Sequence, residues 1–201
     1  MVAAASIALT ALALAAASGT TAVLDEAILA WFAAQHDPVA NAFFRGVTWI
    51  GSFWLLGPGV AVGLWLLART GRITDALRLG AVFYGSALTT LVLKLLIVSE
   101  RPALFESALP ALPADAAFPS GHATHAAALA LCLAWLARRD CSRWRATLVL
   151  LLVYAAMVAV SRLYLQVHWP SDVLGGILVA LLWTLVTLRS WGEAEHAKGN
   201  S

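Results

Sequence analysis

The sequence predicts an all-α integral membrane protein, a six-helix bundle, on three observations. The 201 residues are 61% hydrophobic and only 12% charged, with mean hydropathy +0.82, whereas soluble domains are nearer a quarter charged. Apolar runs of spanning length recur between short polar loops. Nine tryptophans in so small a chain suit aromatic belts at a bilayer interface. The net charge is only +2, with no basic block or repeat of the kind nucleic-acid binding needs. Cys132, in an apolar run, and Cys141, in an arginine-rich loop, do not form a disulfide framework. The chain therefore reads as one membrane domain over residues 1–201.

The first span is expected over 2–18, an Ala/Leu run just inside the roughly 17–25 residues a crossing needs. Ala15-Ala16-Ala17 also offers small residues for signal cleavage, so a cleaved signal is the alternative to a retained span. No Lys or Arg precedes the run, which favours retention. Residues 20–48 mix Asp25, Glu26, His36, Asp37 and Arg45 with aromatics. Ala27, Ile28, Trp31 and Phe32 recur at helical spacing, so this stretch reads as an amphipathic segment in the interface. His36 and Asp37 read as a solvated turn before Pro38.

The second span, 49–68, contains Gly51, Gly57, Gly59 and Gly63, small residues that permit close helix packing. A short polar loop, 69–78, leads to the third span, 76–98, which carries Lys94 in its last third. Pro102, Pro110, Pro113 and Pro119 break any helix in the longest loop, 100–120. The fourth span is 121–137, followed by a basic loop at 138–145 and a fifth span at 146–166. Pro170 suits a first helical turn, where its missing N–H has no partner to lose, so the sixth span is read as 170–191.

Arginine placement sets the orientation. Arg69, Arg72, Arg78, Arg138, Arg139, Arg143 and Arg145, with Arg189 and Lys198 in the tail, fall on one side. Arg45, Lys94, Arg101 and Arg162 fall on the other. The positive-inside rule makes the first group cytoplasmic, so the long loop and the His168 corner face outward together.

Three polar clusters meet at that outer face. Lys94 and Arg101 are seven residues apart, which on a helix returns to nearly the same face. Two cations on one stripe repel unless an anion joins them. Pro119-Ser120-Gly121-His122 stands at the start of the fourth span, with Ser120 as an N-cap and Gly121 letting a ligand approach the backbone. That helix N-terminus is a natural anion site. His125 shares the face of His122 and reads as a packing or supporting residue. The third cluster is Arg162, His168 and Asp172. A carboxylate four residues behind an imidazole fixes its tautomer and supports its charged form. Together these residues describe a phosphate-binding pocket with an acid and a nucleophile.

At these residues the chain resembles the type 2 phosphatidic acid phosphatase family, whose site is shared with the vanadium haloperoxidases. The family pattern is Lys, six residues, Arg-Pro; Pro-Ser-Gly-His; and Ser-Arg, five residues, His, three residues, Asp. Lys94, Arg101 and Pro102, then Pro119 to His122, then Ser161, Arg162, His168 and Asp172 fill every position. The resemblance covers about residues 20–190 and implies six spans with the site at the extracytoplasmic interface.

It further implies that His168 attacks phosphorus to give a phosphohistidine, with Asp172 orienting it. His122 protonates the leaving oxygen and then activates water, while Lys94, Arg101, Ser120, Gly121 and Arg162 hold the phosphoryl oxygens. No metal or other cofactor is implied, and Glu100, Glu106 and Asp115 in the outer loop are not spaced as a two-metal cage. The expectation is a multi-pass enzyme of the cell (inner) membrane, its site facing the periplasm or cell exterior. It would hydrolyse a phosphomonoester or pyrophosphate on a lipid held in the bilayer. Undecaprenyl pyrophosphate is favoured on small size and outward site, with phosphatidylglycerophosphate, phosphatidic acid and lipid A phosphates as candidates. Trp31–Phe44 and the loop 103–118 are expected to line a groove for the lipid tail. A transporter using the cationic pocket is the reading from another class, though it leaves a nucleophilic His168–Asp172 pair without a use. A soluble haloperoxidase is disfavoured by the spans.

Overall fold

The computed structural model describes residues 1–103, 107, 109 and 113–199, with residues 188–199 given by backbone alone. Glu106, much of the loop expected to line a tail groove, and the side chains of Arg189 and Lys198 lie outside the described residues. Among the described residues all regular structure is helical. The order is α1 (Val2–Ala17), α2 (Ala22–Ala33), α3 (Pro38–Trp49), α4 (Phe53–Arg69), α5 (Ile73–Leu96), α6 (Gly121–Asp140), α7 (Trp144–Tyr164) and α8 (Pro170–Gly199).

Four stretches are long and apolar enough to cross a bilayer: Pro38–Arg69, which joins α3 to α4, Ile73–Leu96, Trp144–Tyr164 and Pro170–Thr187. A fifth qualifies only if α1 and α2, bent by 82° at the break between them, count together. Alone, the 16 residues of α1 reach only about 24 Å at 1.5 Å per residue. Helix α6 is not among the four, for a reason visible in the packing. It lies against α5, α7 and α8 and buries Thr124 and His125 along with its alanines. A helix wrapped by protein need not be apolar towards lipid.

The segment expected to lie in the interface is two helices, α2 and α3, docked on α7 and α8. His36 and Asp37 do stand in the turn before Pro38, Asp37 exposed and His36 half-buried, and both are held by protein. His36 Nε2 lies 2.6 Å from the Tyr164 carbonyl oxygen. Asp37 Oδ1 accepts the N–H groups of Val39 and Ala40 at 2.9 and 3.1 Å, capping α3.

The basic end of the bundle also departs from the expected loops. Helix α5 begins at Ile73 and α6 continues to Asp140, and half-exposed charges at these ends pair with buried Asp75 and with one another. Asp75 joins Arg72 at 2.7 Å and Arg139 at 2.9 Å, Arg72 also meets Asp140 at 2.6 Å, and buried Arg78 lies over Trp135. Lys94 and Gly121 stand at the other ends of these two helices, about 30 Å away along α5.

The core between these ends is centred on Phe83, fully buried with Val60, Leu79, Val82, Ala128 and Ala180. Leu95, Leu150, Leu152 and Val153 point outward, exposed as they must be in a bilayer-facing surface. Close helix approach places α8 on the start of α6. A Cβ on Gly176 would meet the Ser120 carbonyl oxygen at 2.5 Å and Thr124 Oγ1 at 2.8 Å. Gly176→Ala is expected to cost about 1–3 kcal/mol, as overpacking does, lowering the unfolding midpoint in detergent. Gly59→Ala, where a Cβ meets nothing within 4 Å, should leave that midpoint unchanged.

Candidate active site

The three polar clusters converge on one cavity of about 880 Å³. Lys94, Arg101, Gly121, His122, Arg162 and His168 line it together with the apolar side chains of Trp49, Phe53, Trp54, Leu88 and Leu91. Ser120 and Asp172 lie fully buried behind that lining. The cavity thus brings cationic and apolar side chains into one lining.

The corner between α7 and α8 carries most of the chemistry. Helix α7 ends at Tyr164, and Gln166 takes a left-handed φ of 56°, a conformation that a non-glycine residue holds only when its surroundings fix it. Its Nε2 donates to the carbonyl oxygens of Leu29 and Leu163, both at 3.1 Å. The chain then turns His168 inward. Helix α8 starts at Pro170, as its sequence predicts, with Asp172 in the first turn. Asp172 Oδ2 accepts the Trp169 N–H at 2.8 Å and faces His168 Nδ1 at 3.4 Å. The other ring nitrogen, Nε2, lies 3.3 Å from Arg101 Nη1. A proton on Nδ1 directed to the carboxylate leaves the Nε2 lone pair facing the cavity. Burial, followed by the charges of Arg162, Arg101 and Lys94, holds His168 well below its ordinary pKa, so the imidazole is neutral.

The cations are fixed by different devices. Arg162, on the last turn of α7, donates from Nη1 to Thr48 of α3, and its buried Nε has no protein partner. Arg101 Nη1 donates to the Val167 carbonyl oxygen at 2.6 Å. Lys94 donates to the carbonyl oxygen of Ala116. Lys94 and Arg101 do not share a helical stripe, because α5 ends at Leu96 and Arg101 lies in the loop beyond it. The ends of that loop are stitched together instead: Ser99 accepts the N–H of Ala117 on its carbonyl oxygen at 3.0 Å and that of Phe118 on its hydroxyl at 2.7 Å. Asp115 then supplies the anion that two neighbouring cations need. Its Oδ2 is 3.1 Å from Lys94 Nζ and its Oδ1 is 2.6 Å from Arg101 Nη2.

Ser120 occupies the N-cap of α6, but its hydroxyl caps nothing and has no protein partner. A Cβ on Gly121 would meet protein only at ordinary distances, 3.6 Å or more. Packing therefore does not demand glycine there, while the cavity beside it leaves room for a ligand against the backbone. His125 packs on Phe53 and Phe83, with ring centroids 5.3 and 5.7 Å away, and also reaches the cavity. Trp31 and Phe44 are not part of that apolar lining. Phe44 stacks on Tyr164 at 4.2 Å, and Trp49, Phe53 and Trp54 take the place expected of that stretch.

A sequence-family model of the PAP2 superfamily matches residues 75–195, which include all three motifs. The chain belongs to the PAP2 superfamily. It is 32% identical over 178 residues to phosphatidylglycerophosphatase B of Bacillus subtilis, covering 84% of this chain and 85% of that protein. It is 28% identical over 125 residues to the undecaprenyl-diphosphatase BcrC of the same organism, 61% of either chain. Among solved structures, the transmembrane PAP2-type phosphatidylglycerolphosphate phosphatase of B. subtilis superposes with a TM-score of 0.83 at 26% identity, covering 96% of each chain. PAP2 membership and these relatives make the chain a lipid phosphate or pyrophosphate hydrolase of the membrane.

One residue that supports the PAP2 motifs is not part of any of them. Asp25, buried in α2, accepts the Ser171 N–H on Oδ1 at 3.0 Å and the Ser171 hydroxyl on Oδ2 at 2.7 Å. It caps the first turn of α8 from another helix, next to Asp172. Loss of that acceptor leaves a buried N–H unpaired, a cost of about 1–3 kcal/mol. Asp25→Ala should therefore lower kcat on a lipid phosphate about tenfold with little change in KM, and Asp25→Asn, which keeps an acceptor, should restore most of it. Full turnover in Asp25→Ala would show that α8 holds Asp172 without this cap.

Proposed function

We propose that the chain removes a terminal phosphate from a membrane lipid at the extracytoplasmic face, through a phosphohistidine at His168 and without a metal. The observation that carries this is the cavity that Lys94, Arg101, Arg162, Gly121, His122 and His168 line together with Trp49, Phe53, Trp54, Leu88 and Leu91. A phosphate head and a lipid tail need those two kinds of side chain in one place.

In the proposed mechanism His168 Nε2, freed from Arg101 as the phosphoryl group binds, attacks phosphorus in line with the leaving oxygen. The N–P bond forms as the P–O bond breaks, and His122 gives its proton to the departing oxygen. His122 then takes a proton from water, which attacks phosphorus and releases phosphate from His168. Asp172 keeps Nδ1 protonated throughout and stabilises the charge that grows on the ring. Lys94, Arg101, Arg162, the Ser120 hydroxyl and the Gly121 N–H stabilise the charge on the phosphoryl oxygens, where fixed donors contribute most.

In the proposed six-span arrangement α1 and α6 cross beside the four long apolar stretches, with the Asp75–Arg139 end inside and the cavity outside. Its support is the arginine distribution and the separation of the two ends along α5. Undecaprenyl pyrophosphate, favoured by size and sidedness, has two relatives in its support, BcrC and a protein of Escherichia coli 32% identical over 142 residues. The phosphatidylglycerophosphatase relative, however, is matched over the larger share of both chains, which favours phosphatidylglycerophosphate. Transport without hydrolysis gains no support from relatives that are phosphatases.

Purified protein assayed on these lipids in excess EDTA should release phosphate, and intact cells should hydrolyse an impermeant aryl phosphate supplied outside. His122→Ala should lose about 10²–10⁴-fold on a lipid alcohol leaving group and recover much of it on the aryl phosphate, whose phenolate needs little protonation. Turnover abolished by EDTA and restored by magnesium would contradict the mechanism, and equal losses on both substrates would remove His122 from the acid's role.

A further inference from the structure

The Asp115 carboxylate sits where a phosphoryl group would bind. It presents one oxygen to Lys94 and the other to Arg101, at 3.1 and 2.6 Å, the two-point pairing that a phosphate offers the same cations. The partners are unequal in one respect. The side chains of Lys94 and Arg101 are 10% and 8% exposed, whereas that of Asp115 is 54% exposed and belongs to a loop. Without that carboxylate the cations keep backbone anchors, Lys94 on the Ala116 carbonyl oxygen and Arg101 on those of Val167 and of Asp115 itself, the last at 3.1 Å. Burial alone would raise the Asp115 pKa, but the charges of Lys94 and Arg101 outweigh it and hold the group below the ordinary carboxylate value. It is an anion at neutral pH, and it is the partner free to leave.

We propose that Asp115 is a specificity-determining residue: its carboxylate occupies the Lys94–Arg101 pair until a ligand with more charge displaces it. A terminal phosphate carries about −1.5 to −2 charges at pH 7 and three strong acceptor oxygens. The phosphodiester of an ordinary bilayer lipid carries one charge, no more than the carboxylate it would have to replace. Such diesters surround a membrane-embedded site in large excess over any monoester or diphosphate. Three cations among apolar side chains would otherwise collect them, so rejecting the diester is as necessary as binding the substrate. With Asp115 in place, exchange favours the terminal phosphate and disfavours the diester.

This inference rests on the reading of the cavity as a lipid phosphatase site. The test uses the whole protein in detergent micelles free of phospholipid, hydrolysing phosphatidic acid while phosphatidylglycerol is added as the diester competitor. The unaltered protein should be little inhibited. Asp115→Asn and Asp115→Ala should be inhibited competitively, with an inhibition constant for phosphatidylglycerol about tenfold lower, and should bind dimethyl phosphate more tightly by calorimetry. If both variants are no more sensitive to diesters than the unaltered protein, or lose affinity for monoester and diester alike, Asp115 only positions its two cations and the inference fails. If the unaltered protein releases no phosphate from any monoester lipid, the phosphatase reading itself falls.

Discussion

Three positive charges, Lys94, Arg101 and Arg162, line a single cavity among apolar side chains, and much of that half of the molecule is arranged around keeping them there. Like charges at this range repel, more strongly where water is scarce, so each must be held by something that does not consume it. Backbone carbonyl oxygens of Val167 and Ala116 and the hydroxyl of Thr48 do this, because they fix direction without cancelling charge. Among the described residues Asp115 is the carboxylate that pairs directly with Lys94 and Arg101, and its side chain is the exposed partner. The result is a site that stays cationic towards a ligand while the protein around it remains folded.

Support for His168, the proposed nucleophile, follows the same pattern of remote residues fixing local geometry. Gln166 anchors the left-handed corner to α2, Asp25 of α2 caps the first turn of α8, and Asp172 binds the backbone just before that helix and turns to His168. Helix α2 thus serves as a brace for the corner rather than as a bystander at the surface. Tyr164 extends the brace, stacking on Phe44 and donating to Asn41 at 2.9 Å. A helix end braced at several points holds an imidazole within the narrow range of orientation that in-line attack requires.

The residues that were legible in the sequence are those whose chemistry is local. Pro170 announced the start of α8, the Ser120-Gly121 step announced the start of α6, and the motif spacings placed His122, Arg162, His168 and Asp172 at one face. What stayed hidden depends on long-range contact. Asp25 meets Ser171 across 146 positions, and nothing in a segment of mixed polarity distinguishes it from neighbouring Glu26. The Lys94–Arg101 pairing was legible as a need for an anion but was placed on the wrong scaffold, since a heptad spacing suggests a helix and the chain breaks at Leu96. Asp115 looked like one more loop carboxylate until the Ser99 stitch closed the loop. Helix α6 illustrates the limit of hydropathy, because enclosure by α5, α7 and α8 removes the penalty on its polar side chains.

The claim on which the account turns is that His168 bonds to phosphorus. Acid-sensitive, base-stable phosphorylation is the mark of a phosphohistidine, so rapid quenching into base of the protein turning over a lipid labelled in its terminal phosphate measures it directly. The account predicts label on the protein, recovered in the peptide containing His168 and absent from His168→Ala. Label recovered at His122, or label retained by His168→Ala, would contradict it.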